Sequence, residues 1–125
     1  MKSNTILFIG IGSFIGGICR YLLSQFVHSK FQVHFPFGTL LVNIIGCLLI
    51  GVVFGLAEKG TVTDEWRLFL ATGILGGFTT FSAFSNETVG LLRTGQLGSA
   101  VIYVTISVVI GLLATYVGLQ ANKLF

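Results

Sequence analysis

The sequence predicts an all-α integral membrane protein built from four transmembrane helices, and two observations carry that prediction. The first is composition. Of 125 residues, 54% are hydrophobic and only 9% are charged, and the mean hydropathy is +0.95. A soluble domain of this size needs a polar shell that these residues cannot supply. The second is the length of the apolar stretches. A bilayer span takes about 20 mostly apolar residues, and four stretches qualify: residues 5–27, 39–57, 68–92 and 98–120. Together they use most of the chain, so the expected organisation is one four-helix transmembrane domain over residues 1–125.

The first stretch reads as a span and not as a signal peptide, because no small-residue cleavage site ends a short apolar core and further spans follow. It runs out near His28. The connection over residues 29–37 holds the only proline, Pro36, and the second helix begins at about Gly38. Residues 58–66 are the most polar part of the chain, with Glu58, Lys59, Asp64 and Glu65. Thr63 suits the N-cap of the third helix, and Trp66 suits the headgroup region. A short turn over residues 94–97 leads into the fourth helix. No repeat, linker or low-complexity tract interrupts this layout.

Four spans put both termini on one side. Lys2, Lys59, Arg67 and Lys123 fall on that side; Lys30, Arg93 and Arg20 fall on or near the other. Four against three is almost no bias, and cytoplasmic loops normally carry an excess of Lys and Arg. Insertion in both orientations, followed by antiparallel pairing, and a single weakly fixed orientation both remain open on the charges. A chain this small also makes a poor pore alone, since four short helices barely enclose a path while satisfying their polar groups. An oligomer resolves this, and Gly12 with Gly16, and Gly51 with Gly55, are small-xxx-small pairs that offer contact surfaces.

The third stretch concentrates the chemistry. An apolar start gives way to Gly76 and Gly77 and then to Thr79, Thr80, Phe81, Ser82, Ala83, Phe84, Ser85, Asn86 and Glu87. The glycine pair invites an interruption of the helix, which frees backbone carbonyls that a cation can hold; the alternative is a continuous helix packed closely at the pair. Phe81 and Phe84, three apart, share a helix face. An aromatic ring has a positive hydrogen edge that a small anion can approach, although phenylalanines in a membrane helix more often face lipid or pack. Asn43 in the second helix can donate to an anion or bond between helices. Tyr103, Ser107, Gly111 and Thr115 fall at steps of four on the fourth helix and form one stripe, which either lines a wet path or permits close packing. Arg20 and Glu87 are the charges nearest membrane depth, where ionisable groups are usually functional. Cys19 and Cys47 read as small apolar fillers. His28 and His34 read as interfacial, with no metal-ligand spacing. No hydrolytic triad, metal motif or phosphate loop is present, so an enzyme is not expected, and neither is a nucleic-acid partner.

Three motifs then carry a resemblance: GGICRY at 16–21, PFGTLLVN at 36–43 and GGFTTFSAFS at 76–85. With the length and the four-span layout, they make the chain similar to the Fluc fluoride channel family, also called CrcB, over essentially its whole length. The resemblance implies a multi-pass protein of the cytoplasmic membrane that forms an antiparallel, dual-topology homodimer with two pores. It implies a break in the third helix, where backbone carbonyls at Gly76 and Thr79 hold a structural, untransported Na+ at the dimer centre. It assigns fluoride to a pore formed by Asn43, Phe81, Phe84, Thr80, Ser82, Tyr103 and Ser107, with Arg20 and Glu87 at the vestibule or nearby. Two positions depart from it: Ala83 stands where many relatives carry threonine, and Gly111 where another hydroxyl is frequent. Some relatives pair with a second, similar chain, so a heterodimer is the alternative assembly. The implied function is passive export of fluoride, which relieves its toxicity. Two other classes compete: a small multidrug-type proton-coupled exporter, which depends on an acid in the first helix where this chain has Arg20, and a non-transporting membrane scaffold, which leaves the polar run after Gly77 unexplained.

Overall fold

The computed structural model describes residues 3–31 and 33–124. Lys2, which entered the charge tally, lies outside them. Four helical stretches are long and apolar enough to cross a membrane: Ser3–Lys30, Phe37–Glu58, Asp64–Arg93 and Leu97–Leu124. They match the four apolar stretches, each lengthened by a few residues at polar ends. The first is helix α1 (Ser3–Lys30) and the second is α2 (Phe37–Glu58). The third is composite: α3 (Asp64–Arg67), a π-helical segment (Leu68–Leu75), α4 (Gly76–Phe78) and α5 (Phe81–Arg93). The fourth is α6 (Leu97–Ala121), closed by a 3₁₀ turn over Asn122–Leu124.

Local chemistry explains the ends. Thr63 caps the third span, as expected: its backbone is extended and its hydroxyl accepts from the Trp66 N–H at 3.3 Å. Asp64 and Glu65 in the first turn complement the positive end of the helix dipole. α2 and α5 end alike. Gly60 and Gly95 each take φ of +79°, a conformation side chains resist. Their turns close through Thr61 N to Leu56 O at 3.1 Å and Gln96 N to Leu91 O at 2.8 Å, the six-to-one bonds of a Schellman motif.

Lipid tails are as apolar as leucine, so these helices are held by close packing and hydrogen bonds and gain little from leaving their surroundings. Glycine provides the close packing. α1 lies on the π-helical segment and α4, where a side chain on Gly16 would overlap the Ile74 carbonyl and one on Gly12 would come within 2.9 Å of Ile74 N. α2 lies on α6, where side chains on Gly51 and Gly118 would overlap the Thr115 and Leu48 carbonyls. The pairs expected to serve an oligomer are thus consumed inside the chain, because two helices without side chains at the crossing approach to backbone contact. At the far end of this pair Asn122 donates to the Gly55 carbonyl, and Lys59 Nζ donates to Asn122 O at 2.8 Å. Two small cores complete the bundle: Val42, Leu75 and Phe78 at its middle, and Leu91, Ala100 and Tyr103 nearer the turn into α6.

Candidate ion path at the third span

Between α4 and α5, Thr79 (φ −91°, ψ 156°) and Thr80 (φ −150°, ψ 116°) are extended. The irregular residues therefore follow the glycine pair and do not include it. Gly77 is helical and pressed against α1, where an added side chain would strike the Ser13 carbonyl. A continuous α-helix would aim the Thr80 N–H at the Gly76 carbonyl. Here it donates instead to Asn43 Oδ1 at 2.9 Å, and Asn43 Nδ2 donates back to Thr80 O at 3.0 Å. One amide from α2 thus satisfies both backbone groups of the residue that cannot satisfy itself, as a membrane interior requires. It keeps one N–H and one lone pair in reserve.

The surrounding groups tie down the same region. Thr79 directs both its N–H and its hydroxyl to Leu75 O, at 3.0 and 2.9 Å. Thr80 Oγ1 caps α5 by accepting from the Ala83 N–H at 3.1 Å and lies 3.2 Å from Ser82 Oγ. From the other side α1 reaches the third span twice: Ser13 Oγ donates to Gly73 O at 3.3 Å, and Arg20 Nε to Gly77 O at 3.2 Å. Arg20 is therefore anchored on the backbone beneath α4.

A groove of about 350 Å³ opens over the extended residues. Asn43, Gly76, Thr79, Thr80, Phe81, Phe84 and Ser107 are among the residues that line it. The Phe81 ring is 78% exposed and lies 5.5 Å from Phe84, tilted by 46°. Two phenylalanine rings, an amide and hydroxyls therefore line one space. A ring edge, an amide N–H and a hydroxyl proton are each a positive end that an anion can approach.

Tyr103 and Glu87 form a separate layer beside the groove. Glu87 accepts from Thr39 Oγ1 at 3.0 Å and from the Tyr103 hydroxyl at 3.2 Å. Tyr103 is fully buried, and its ring packs on Phe84 at 5.1 Å. Ser82 is exposed beside the groove. The structure thus gathers Asn43, Thr80, Phe81, Phe84 and Ser107 with the backbone of Gly76 and Thr79. It sets Tyr103 and Glu87 one layer away and Arg20 on the α1 side. The stripe on α6 divides: Ser107 reaches the groove, whereas Thr115 donates to the Cys47 carbonyl at 3.0 Å and packs against α2. Thr39 was missed as a partner of Glu87. Its signal is a hydroxyl one helical turn before Asn43, on the same face of α2. Among the described residues no cluster of three or more His, Cys, Asp or Glu side chains is placed to hold a metal. Both cysteines are free thiols.

Known proteins resemble this chain over nearly its full length. The family model described as CrcB-like protein, Camphor Resistance (CrcB), matches residues 7–119. A protein of Flavobacterium psychrophilum named fluoride-specific ion channel FluC is 46% identical over 121 residues, which cover 96% of this chain and 98% of its own. Proteins of the same name from Shewanella pealeana and Phocaeicola vulgatus are each 43% identical. The first alignment covers 94% of both chains, and the second covers 98% of this chain and all of its relative.

Proposed function

This chain belongs to the family of CrcB-like proteins, and from that membership we propose that it is a fluoride-selective channel, passively exporting F⁻ across the cytoplasmic membrane. It is a channel and not an enzyme, as its relatives' shared name indicates. Within the molecule one observation supports the reading most: the extended Thr79–Thr80 step, clamped by Asn43, opens a largely apolar groove where an amide, hydroxyls and two phenylalanine rings lie together.

Fluoride is small and strongly hydrated, so a pore must replace its water group by group. The spare Asn43 N–H, the Thr80, Ser82 and Ser107 hydroxyls and the Phe81 and Phe84 edges supply those replacements in sequence. Tyr103 and Glu87 stand at the next layer, and the positive charge of Arg20 draws anions toward the path. A narrow path of this kind rejects chloride by size and field strength. Hydrogen fluoride enters cells as a neutral molecule and dissociates inside. An inside-negative membrane then drives the anion out, by about 2.3 kcal/mol per 100 mV.

The working assembly is an antiparallel, dual-topology homodimer. The near balance of charges supports insertion in both orientations. The exposed face of α5 supports the pairing. Ser82, Ser85 and Asn86 are exposed on the single chain, and hydroxyls and amides are costly against lipid. A second copy covers them.

A structural Na⁺ belongs to the same reading, and the residues fit it. Because Asn43 takes the Thr80 N–H, the Gly76 carbonyl loses the donor an α-helix would give it. The Gly76 and Thr79 carbonyls from two copies form an all-oxygen site suited to a hard cation. The ion would lock the two copies together. It is not transported.

The test is fluoride efflux from liposomes that hold the purified chain alone, with chloride as the control. Fast efflux of fluoride only is expected. Phe81→Ala and Phe84→Ala should each slow it by tenfold or more, on the order expected when a lining dipole is removed from a dry path. Intact flux in both variants would sink the pore assignment. No flux in sodium-containing buffer, restored by a second, similar chain, would replace the homodimer by a heterodimer.

A further inference from the structure

The connection before α2 does more than join two spans. Pro36 sits at φ −80° and ψ 67°, and the Phe37 N–H donates to Phe35 O at 2.9 Å. That is an inverse γ-turn, and proline's ring sets its central φ in advance. The turn folds Phe35 back into the bundle, while Phe31, Val33 and His34 stay exposed. Phe35 meets Tyr103 edge to face, with centroids 5.5 Å apart and planes at 79°. Tyr103 is then held on three counts: by Phe35, by Phe84 at 5.1 Å, and through its hydroxyl by Glu87 at 3.2 Å. Phe84 in turn packs on Phe81 at 5.5 Å. An unbroken line of rings runs from the connection to the groove.

We propose that Phe35 is a positioning residue of the ion path, fixing the Tyr103 ring and through it the orientation of Phe84. The inference rests on the fluoride-channel reading for its consequence in flux, but its structural half is independent of that reading. Phe35 is not among the residues that line the groove. Its influence passes through Tyr103, whose ring has no other aromatic neighbour among the described residues besides Phe84. An aliphatic side chain at position 35 fills the space but offers no ring edge to hold Tyr103 at that angle. Tyr103 can then rotate, and Phe84 turns its edge away from the ion.

The experiment uses the full chain in liposomes with two readouts. In the first, Phe35→Leu should slow fluoride efflux about fivefold, and Phe35→Tyr, which keeps the ring, should stay within about twofold of the parent. If Phe35 acts through the Tyr103 ring, combining Phe35→Leu with Tyr103→Leu, which removes that ring, should slow efflux by less than the product of the single effects. A plain product would overturn the inference. In the second, 4-fluorophenylalanine at position 84 reports the ring's surroundings by ¹⁹F NMR with no need for flux. Phe35→Leu should move that resonance and Phe35→Tyr should leave it in place. An unmoved resonance in Phe35→Leu overturns the inference. A moved resonance in a chain that carries no fluoride overturns the channel reading alone. Should Phe35→Leu fail to fold, Phe35→Met, read in the same two ways, decides the matter.

Discussion

The two halves of the third span are made differently. Its first half, the π-helical segment and α4, is pressed onto α1 with glycine at each close point and presents Leu75 and Phe78 to a core. Its second half, α5, shows Phe81, Ser82, Ser85 and Asn86 to the outside, packs Phe84 and Leu91 on Tyr103 and Ala100, and bonds through Glu87 to Thr39 and Tyr103. One half is scaffold, where backbone meets backbone and substitution has no room. The other carries the proposed site, where Phe81 and Ser82 stand exposed beside the groove. The junction is a single peptide step whose needs are met by Asn43.

That contrast can be broken in three places. The largest effect is expected from Gly16→Val in the scaffold half. The new side chain would overlap the Ile74 carbonyl, and overpacking of this kind costs roughly 3 kcal/mol. The folded species should be lost on size-exclusion chromatography, with no flux left to measure; a well-folded, conducting variant would show that α1 can slide and that the scaffold is not rigid. Next comes Asn43→Ala at the junction. It strips partners from both Thr80 backbone groups, at about 1 kcal/mol each. A lower melting temperature in detergent and slowed fluoride efflux should appear together. Normal efflux despite the lower stability would mean that the clamp holds the fold and not the path. The smallest effect is expected from Thr115→Val on the α2–α6 contact, which removes one hydrogen bond to Cys47 O. Interhelical bonds in membranes average about 0.6 kcal/mol. Efflux should be unchanged, and a large drop would place Thr115 on the path after all.

Much of this was legible before any coordinates. Apolar length fixed four spans, because nothing shorter than a bilayer's thickness qualifies. Thr63 announced a cap by its place before an acidic first turn, and Asn43 stood out as an amide in an apolar run. Other features were not legible, for physical reasons. The glycine pairs carry the same signature whether they serve an oligomer or the chain's own crossings, and here they serve the latter. The π-helical geometry of Leu68–Leu75 has no residue pattern of its own. Gly76 and Gly77 drew the eye as the flexible point, yet the extended residues are the two threonines that follow. Thr80 can leave the helix because Asn43, 37 positions away in sequence, offers partners to both its backbone groups. Thr39 was overlooked because a lone hydroxyl means little until Glu87 is seen above it.

The Asn43 clamp also bears on how the protein is made. A third span that held its extended step while alone in the bilayer would leave both backbone groups of Thr80 without bonds, a poor passenger for hydrocarbon. The second span is synthesised first, so the amide that completes those groups is already in the membrane when the third span arrives. Chain order thereby doubles as an assembly order. A version with the second and third spans exchanged in sequence would be expected to stall at insertion, although every contact in the finished bundle were available to it.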